Sequence, residues 1–376
     1  MKAEIIDIKL IILALFLCVA TPNLTHSQED YKLAEESLSN HIVSGSINRG
    51  FLIPHHNLMH YYLEDKTTSF TLSIEKELKG GWTSEYNFIS KGIEVSRSSL
   101  SNDEILGFST HLVGYANCAL HSNGKGRLKF GAGVAVLSQK FDLDKNVKNL
   151  AIGSTINGAV ILEYSYRIPI RESLSVNPHL RFVHYSNGGY RLPNLGLNLP
   201  SIGLSIEKQL SNLSLIADVR TEQTSGKRLV LGLSLGRHEL ISAESGQFFN
   251  SNLSLQYLNS SPKKMIWGGG LDIHYSAAYE NYAKLNFIEY ESENSFTKSL
   301  RTGLHGAFGL KLGVSEIHAN VGFYLIDQLE LDGPVYQRIY FLTRVTDYLN
   351  FRIGLKAHMG AAETFELGLT TKLWSK

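Results

Sequence analysis

Near the middle of the chain, His184-Tyr185-Ser186-Asn187-Gly188-Gly189 sets an imidazole base and a hydroxyl nucleophile two positions apart. In an extended strand, side chains at i and i+2 share a face, so His184 and Ser186 point the same way with the base in reach of the hydroxyl proton. Hydrolysis of an acyl ester needs that pair, a group that orients the base, and donors for the oxyanion. Asn198 starts the next apolar strand and shares the parity of Ile202, Leu204 and Ile206, which lets it orient the imidazole from a neighbouring strand. The Asn187 side chain and the Gly189 amide are the candidate oxyanion donors, because a glycine pair lets backbone donors approach a substrate closely.

The strand that carries the pair tells which way it faces. Leu174, Val176, Leu180 and Phe182 are apolar, whereas the alternating Ser175, Asn177, His179 and Arg181 are polar. His184 and Ser186 therefore continue the apolar row. The same two-residue alternation recurs in Leu128–Val136, Leu229–Leu235, Phe351–Met359 and Phe365–Leu369. A water-soluble sandwich also alternates, so periodicity alone does not name the solvent on each side. Two further features favour lipid: an export signal at the start, and a final strand that runs to Leu373-Trp374-Ser375-Lys376. The expected fold is all-β, an antiparallel transmembrane β-barrel of about fourteen strands, within a range of about twelve to sixteen, each of the ~9–11 residues that a tilted spanning strand needs.

The apolar run Leu10–Ala20, flanked by lysine and followed by small and polar residues, is too short to span a bilayer and reads as a secretory signal. Cleavage after Ala20 or after Ser27 would fit, and Thr25 and Ser27 favour the second. Residues 1–27 are then signal peptide, 28–48 a periplasmic lead-in, and 49–376 one outer-membrane barrel. No later apolar segment is long enough for a spanning helix. After cleavage Cys118 is the single remaining cysteine, so no intramolecular disulfide forms despite export. A net charge of +1, without a basic stripe interleaved with aromatics, points away from nucleic acid and leaves lipid as the expected partner. Pro54-His55-His56 and His60 superficially resemble a metal cluster, but Asn57, Leu58 and Met59 supply no ligand between them, and an interfacial or lumen-facing strand is the expected reading. No metal or cofactor is expected for the leading function. The sequence does not speak to oligomeric state.

The run from His184 to Gly196 resembles the lipid A 3-O-deacylases and their acyloxyacyl hydrolase relatives, outer-membrane barrels with His-Phe/Tyr-Ser-Asn-Ala/Gly-Gly followed by Pro-Asn-x-Gly. Here these are His184 to Gly189 and Pro193-Asn194-Leu195-Gly196. The resemblance covers about residues 90–236 and implies Ser186 as nucleophile, His184 as base and lipid A as substrate. It departs at the third member, where the family carries Glu and this chain carries Asn198. A second resemblance, to outer-membrane phospholipase A, lies in His-x-Ser-Asn-Gly with Asn as third member, and would imply calcium. The expected function is an outer-membrane serine esterase acting on an ester-linked acyl chain of lipid A. The alternatives are a phospholipase A and a catalytically silent barrel acting as channel or scaffold.

Overall fold

The computed structural model describes residues 41–78, 83, 85–121, 124–210, 225–240, 242–243, 245–262, 264–285 and 295–376. The expected signal peptide and the first part of the expected lead-in lie outside the described residues.

Alternating sequence produces antiparallel strands throughout, and they close into two separate cylinders. The first comprises β1 (His41–Gly50), β2 (Thr67–Glu77), β3 (Phe88–Ser99), β4 (Phe108–Ala119), β5 (Gly126–Leu137), β6 (Ile156–Tyr166), β8 (Leu174–Ser186) and β9 (Leu197–Leu210). It closes because β9 pairs back onto β1, His41 opposite Leu210 through Gly50 opposite Ser201. The four-residue β7 (Ile168–Arg171) is a spur on β8, which itself pairs with β6. A 3-10 turn at Asn57–Tyr62 lies between β1 and β2.

The second cylinder runs β10 (Gly226–His238), β11 (Phe248–Ser260), β12 (Met265–Ser276), β13 (Leu300–Leu312), β14 (Ser315–Ile326), β15 (Val335–Arg344), β16 (Leu349–His358) and β17 (Ala361–Ser375), and it closes by pairing β17 with β10. Helix α1 (Ala277–Leu285) follows β12.

The class is therefore all-β and antiparallel, but the single barrel of about fourteen strands is corrected to two eight-stranded barrels. Alternation reports which face a side chain takes; it does not report which strand pair shuts the cylinder. Residues 41–48, assigned from sequence to the lead-in, form most of β1 and belong to the first barrel.

Inside each barrel the polar rows meet as ion pairs. In the first, Arg181 binds Glu94 and lies 2.7 Å from Glu163, Lys129 reaches the same two carboxylates at 3.4 and 3.5 Å, and Arg127 pairs with Glu207 at 3.3 Å. The cavity left beside them is about 20 Å³. In the second, Arg338 bridges Asp272 (3.1 Å) and Glu366, while Arg301 and Lys356 hold Glu363 at 2.8 and 2.6 Å.

Outside, the large apolar side chains are exposed: Ile47, Phe70, Leu72, Leu180, Ile202 and Leu204 on the first wall, Leu253, Trp267, Leu271, Phe323 and Ile339 on the second. Polar inside and apolar outside is the inverse of a water-soluble protein, and is the pattern lipid around the wall stabilises. An eight-stranded interior is just wide enough for side chains to fill, and here they do.

Candidate active site

The site is assembled on the outward face of the first barrel, where β8 ends and β9 begins. Register sets it: His184 stands directly opposite Asn198, Phe182 opposite Pro200, and Leu180 opposite Ile202. Val183, Tyr185, Leu197 and Leu199, the residues of opposite parity, are buried in the barrel's apolar cap. His184, Ser186 and Asn198 thus share the outer wall, half-buried, above the exposed Leu180 and Ile202. Ser186 is two residues along β8 from His184, about 6.6 Å by strand rise.

Opposite pairing brings His184 Nδ1 within 2.7 Å of Asn198 Oδ1. An amide oxygen only accepts, so the network assigns the ring proton to Nδ1 and leaves Nε2 as the acceptor. That is the tautomer a general base requires.

Space for the ring comes from Gly196. Its φ is +78°, a left-handed conformation that disfavours other residues, and a Cβ there would sit 3.0 Å from His184 Cε1 and 3.1 Å from the Tyr185 carbonyl. Its N–H donates to Ala151 O at 3.0 Å, which pins the turn before β9.

A residue the sequence did not assign to the site lies behind Asn198. After β1 the chain runs beside β9, with Phe51 N–H donating to Pro200 O (3.2 Å) and Ile53 N–H to Asn198 O (2.9 Å). Leu52 and Met59 are fully buried in the apolar cap and hold this strap at two points. Between them, His55 Nε2 lies 2.8 Å from Leu195 O, and the Asn198 amide donates to His55 Nδ1 at 3.2 Å. His55 and Asn198 are 143 residues apart in sequence, and no local pattern announces such a contact. His56 instead accepts from Leu58 N–H and caps the 3-10 turn, and His60 is exposed. Among the described residues, the one group of acidic and histidine side chains close enough to share a metal ion is Asp332, His358 and Glu363 in the second barrel, where Arg301 and Lys356 already neutralise the carboxylates.

The two proposed oxyanion donors fall in residues 187–194, which group with the second barrel. Asn187 is buried and engaged in its own turn: Nδ2 donates to Arg191 O (2.7 Å), and its backbone N–H donates to Asn194 Oδ1 (3.0 Å). Asn194, the Asn of Pro-Asn-x-Gly, is thereby a turn-former. Gly189 takes φ +82°, and its carbonyl accepts from Glu239 N–H at 3.1 Å. Glu207, the nearest acid by sequence, turns inward to Arg127 and Ser175.

Residues 60–207 match the family model described as Lipid A 3-O-deacylase (PagL), and residues 227–374 match that described as Acyloxyacyl hydrolase, C-terminal domain. The first match contains His184, Ser186 and Asn198. It also replaces the sequence-based span of 90–236, and the second match covers most of the second barrel. No curated protein sequence matches the chain. Among solved structures, a triple mutant of the Rhodopseudomonas blastica porin aligns over 89% of this chain and 99% of its own at 6% identity and TM-score 0.17. CdiB from Acinetobacter baumannii aligns over 90% of this chain and 60% of its own at 8% identity and TM-score 0.20. Scores this low carry no argument, and the fold rests on strand pairing. With one matching model on each barrel, the chain resembles the lipid A 3-O-deacylase (PagL) family over its first barrel and that family's acyloxyacyl hydrolase C-terminal domain over its second.

Proposed function

We propose that the protein is an outer-membrane serine esterase that removes an ester-linked acyl chain from lipid A. The observation that carries this reading is the 2.7 Å contact from His184 Nδ1 to Asn198 Oδ1 on the apolar outer wall, beside Ser186. Ser186 Oγ attacks the acyl carbonyl while His184 Nε2 takes its proton. Collapse of the tetrahedral intermediate breaks the ester C–O bond, and His184 returns the proton to the leaving hydroxyl. A water molecule, deprotonated by the same imidazole, then frees the fatty acid from Ser186. Asn198 touches no reacting atom; it keeps the ring in register.

The wall around the pair supports a lipid substrate. An acyl chain lying along Leu180, Ile202 and Leu204 needs no passage through water for its carbonyl to reach Ser186. The ion-paired barrel interiors argue against a channel. Purified protein in detergent is expected to release fatty acid from lipid A, and Ser186→Ala to end that release while the barrel keeps its heat-resistant folded form. Equal release by the variant removes Ser186 from the chemistry.

Asn198 favours a second reading, since the phospholipase A resemblance also has an amide as third member. Phospholipid and lipid A offered in parallel, with and without a calcium chelator, separate the two: chelator-sensitive release from phospholipid alone would select the phospholipase.

A further inference from the structure

An amide is a riskier orienting group than a carboxylate, because only one of its two ends accepts a hydrogen bond. If the Asn198 amide were reversed, its NH2 would face His184 Nδ1 and the ring would have to carry its proton on Nε2, the atom meant to receive the Ser186 proton. The ring would then be inert as a base. Something must hold the amide the right way round.

The hydrogen bonds around His55 do this with a single consistent set of protons. The Leu195 carbonyl can only accept, so the 2.8 Å contact places a proton on His55 Nε2. In the neutral ring Nδ1 is then a bare acceptor, and it takes the Asn198 Nδ2 proton at 3.2 Å. With Nδ2 committed there, Oδ1 is turned to His184 and accepts its Nδ1 proton at 2.7 Å. The competing arrangement would put the His55 proton on Nδ1, toward Ile53 O at 3.3 Å. That would leave bare Nε2 against the Leu195 carbonyl at the shorter distance, two acceptors face to face.

We propose that His55 is a positioning residue of this site, fixing the Asn198 amide so that His184 keeps Nε2 unprotonated. The kinetic side of the proposal rests on the esterase reading; the tautomer side belongs to the folded protein whatever its substrate. A Glu at position 198 would accept with either oxygen and would need no such partner, so the amide and the histidine strap form one device. The strap is built for it: Ile53 N–H binds the backbone of the same Asn198, and Leu52 and Met59 anchor it on either side.

The test uses the full-length chain, labelled with 15N-histidine, in detergent micelles, with the His184 signals assigned by difference against His184→Gln. The wild type is expected to show His184 protonated at Nδ1 only, His55→Leu a mixture of tautomers, and His55→Gln the wild-type state, since a Gln carbonyl can accept from Asn198 while its NH2 donates to Leu195 O. On lipid A, His55→Leu should lower kcat about tenfold, roughly one lost orienting hydrogen bond, with KM unchanged, and His55→Gln should recover most of it. In an Asn198→Ala background the His55→Leu change should add nothing. A merely structural strap would give an additive loss. An unchanged His184 tautomer in His55→Leu, or an additive loss, overturns the proposal; His55→Ala serves if the Leu variant does not fold. Fatty-acid release that survives Ser186→Ala would instead remove the esterase reading, and the tautomer measurement would still decide the role of His55.

Discussion

Replacing Gly196 with alanine separates the geometry of the ring from the stability of the barrel. At φ +78° an alanine pays for its left-handed backbone, about 1–2 kcal/mol. Its Cβ would also stand 3.0 Å from His184 Cε1 and 3.7 Å from Nε2, where carbon atoms settle at about 3.5–4.0 Å. The Tyr185 carbonyl, 3.1 Å away, belongs to a strand and yields little, so the imidazole moves by a few tenths of an ångström. A misplacement of about 1 Å costs on the order of a hundredfold in rate, so one of a few tenths costs up to about tenfold. Gly196→Ala should therefore lose about 1–2 kcal/mol of folding stability and up to about tenfold in kcat on lipid A, with KM little changed. The control is Gly124→Ala, in the same barrel at φ +65° with nothing within 4 Å of the added Cβ. It carries the same kind of backbone cost and no ring contact. Urea unfolding and fatty-acid release measured on both variants decide the matter: wild-type kcat in Gly196→Ala, or an equal loss in Gly124→Ala, would refute the argument that Gly196 makes room for a working imidazole.

Asn198→Ala removes a hydrogen bond to a ring that becomes charged in the reaction, worth about 1.5–3 kcal/mol, so kcat should fall about 10–150-fold while the folded barrel survives; steady-state release assays check this. Leu72, 71% exposed on the outer wall, tests the solvent: Leu72→Arg should destabilise the protein in a bilayer by about 2–4 kcal/mol if the wall faces lipid at mid-depth, and by less than about 0.5 kcal/mol if it faces water. Planar-bilayer recordings should show no steady conductance, because ion pairs occupy both cylinders; stable open channels would restore the pore reading.

Parity was the legible part of this sequence. Ser175, Asn177, His179 and Arg181 alternate with apolar neighbours, and in β8 they all turn inward, which leaves His184 and Ser186 outward. The same logic put Asn198 on the wall with His184. Closure was not legible. Nothing in the alternation of residues 197–210 and 226–238 says that the first strand turns back to pair with β1 while the second opens a new sheet; that is decided by twist and shear, which are properties of the assembled cylinder. Asn187 shows a different limit. A short amide beside a glycine pair suits an oxyanion donor and a turn lock equally well, and the contacts of Asn187 with Arg191 and Asn194 that make it a turn lock are not written in the local sequence. His55 was hidden because its meaning depends on a partner far along the chain.

The placement of the pair on the wall, and the amide beside it, follow from one constraint. Inside the first barrel Glu94, Arg127, Lys129, Glu163, Arg181 and Glu207 are tied into ion pairs, and breaking one by removing a partner strands a buried charge at a cost of about 3–5 kcal/mol; the interior has little freedom to host a reaction. The outer wall has that freedom but, in the membrane setting proposed for it, faces an apolar medium, in which an ionised carboxylate is expensive to hold. Asn198 carries no charge and escapes that penalty. It also gives up the stabilisation a carboxylate lends to the imidazolium, and it can be held backwards. The first loss lowers the ceiling on the rate. The second is removable by one acceptor placed behind the amide, and His55 Nδ1 stands there. Introducing Glu at position 198 should therefore uncouple the two residues: activity in Asn198→Glu should become insensitive to His55→Leu, and continued dependence on His55 in that background would show that the amide's orientation was never what His55 controlled.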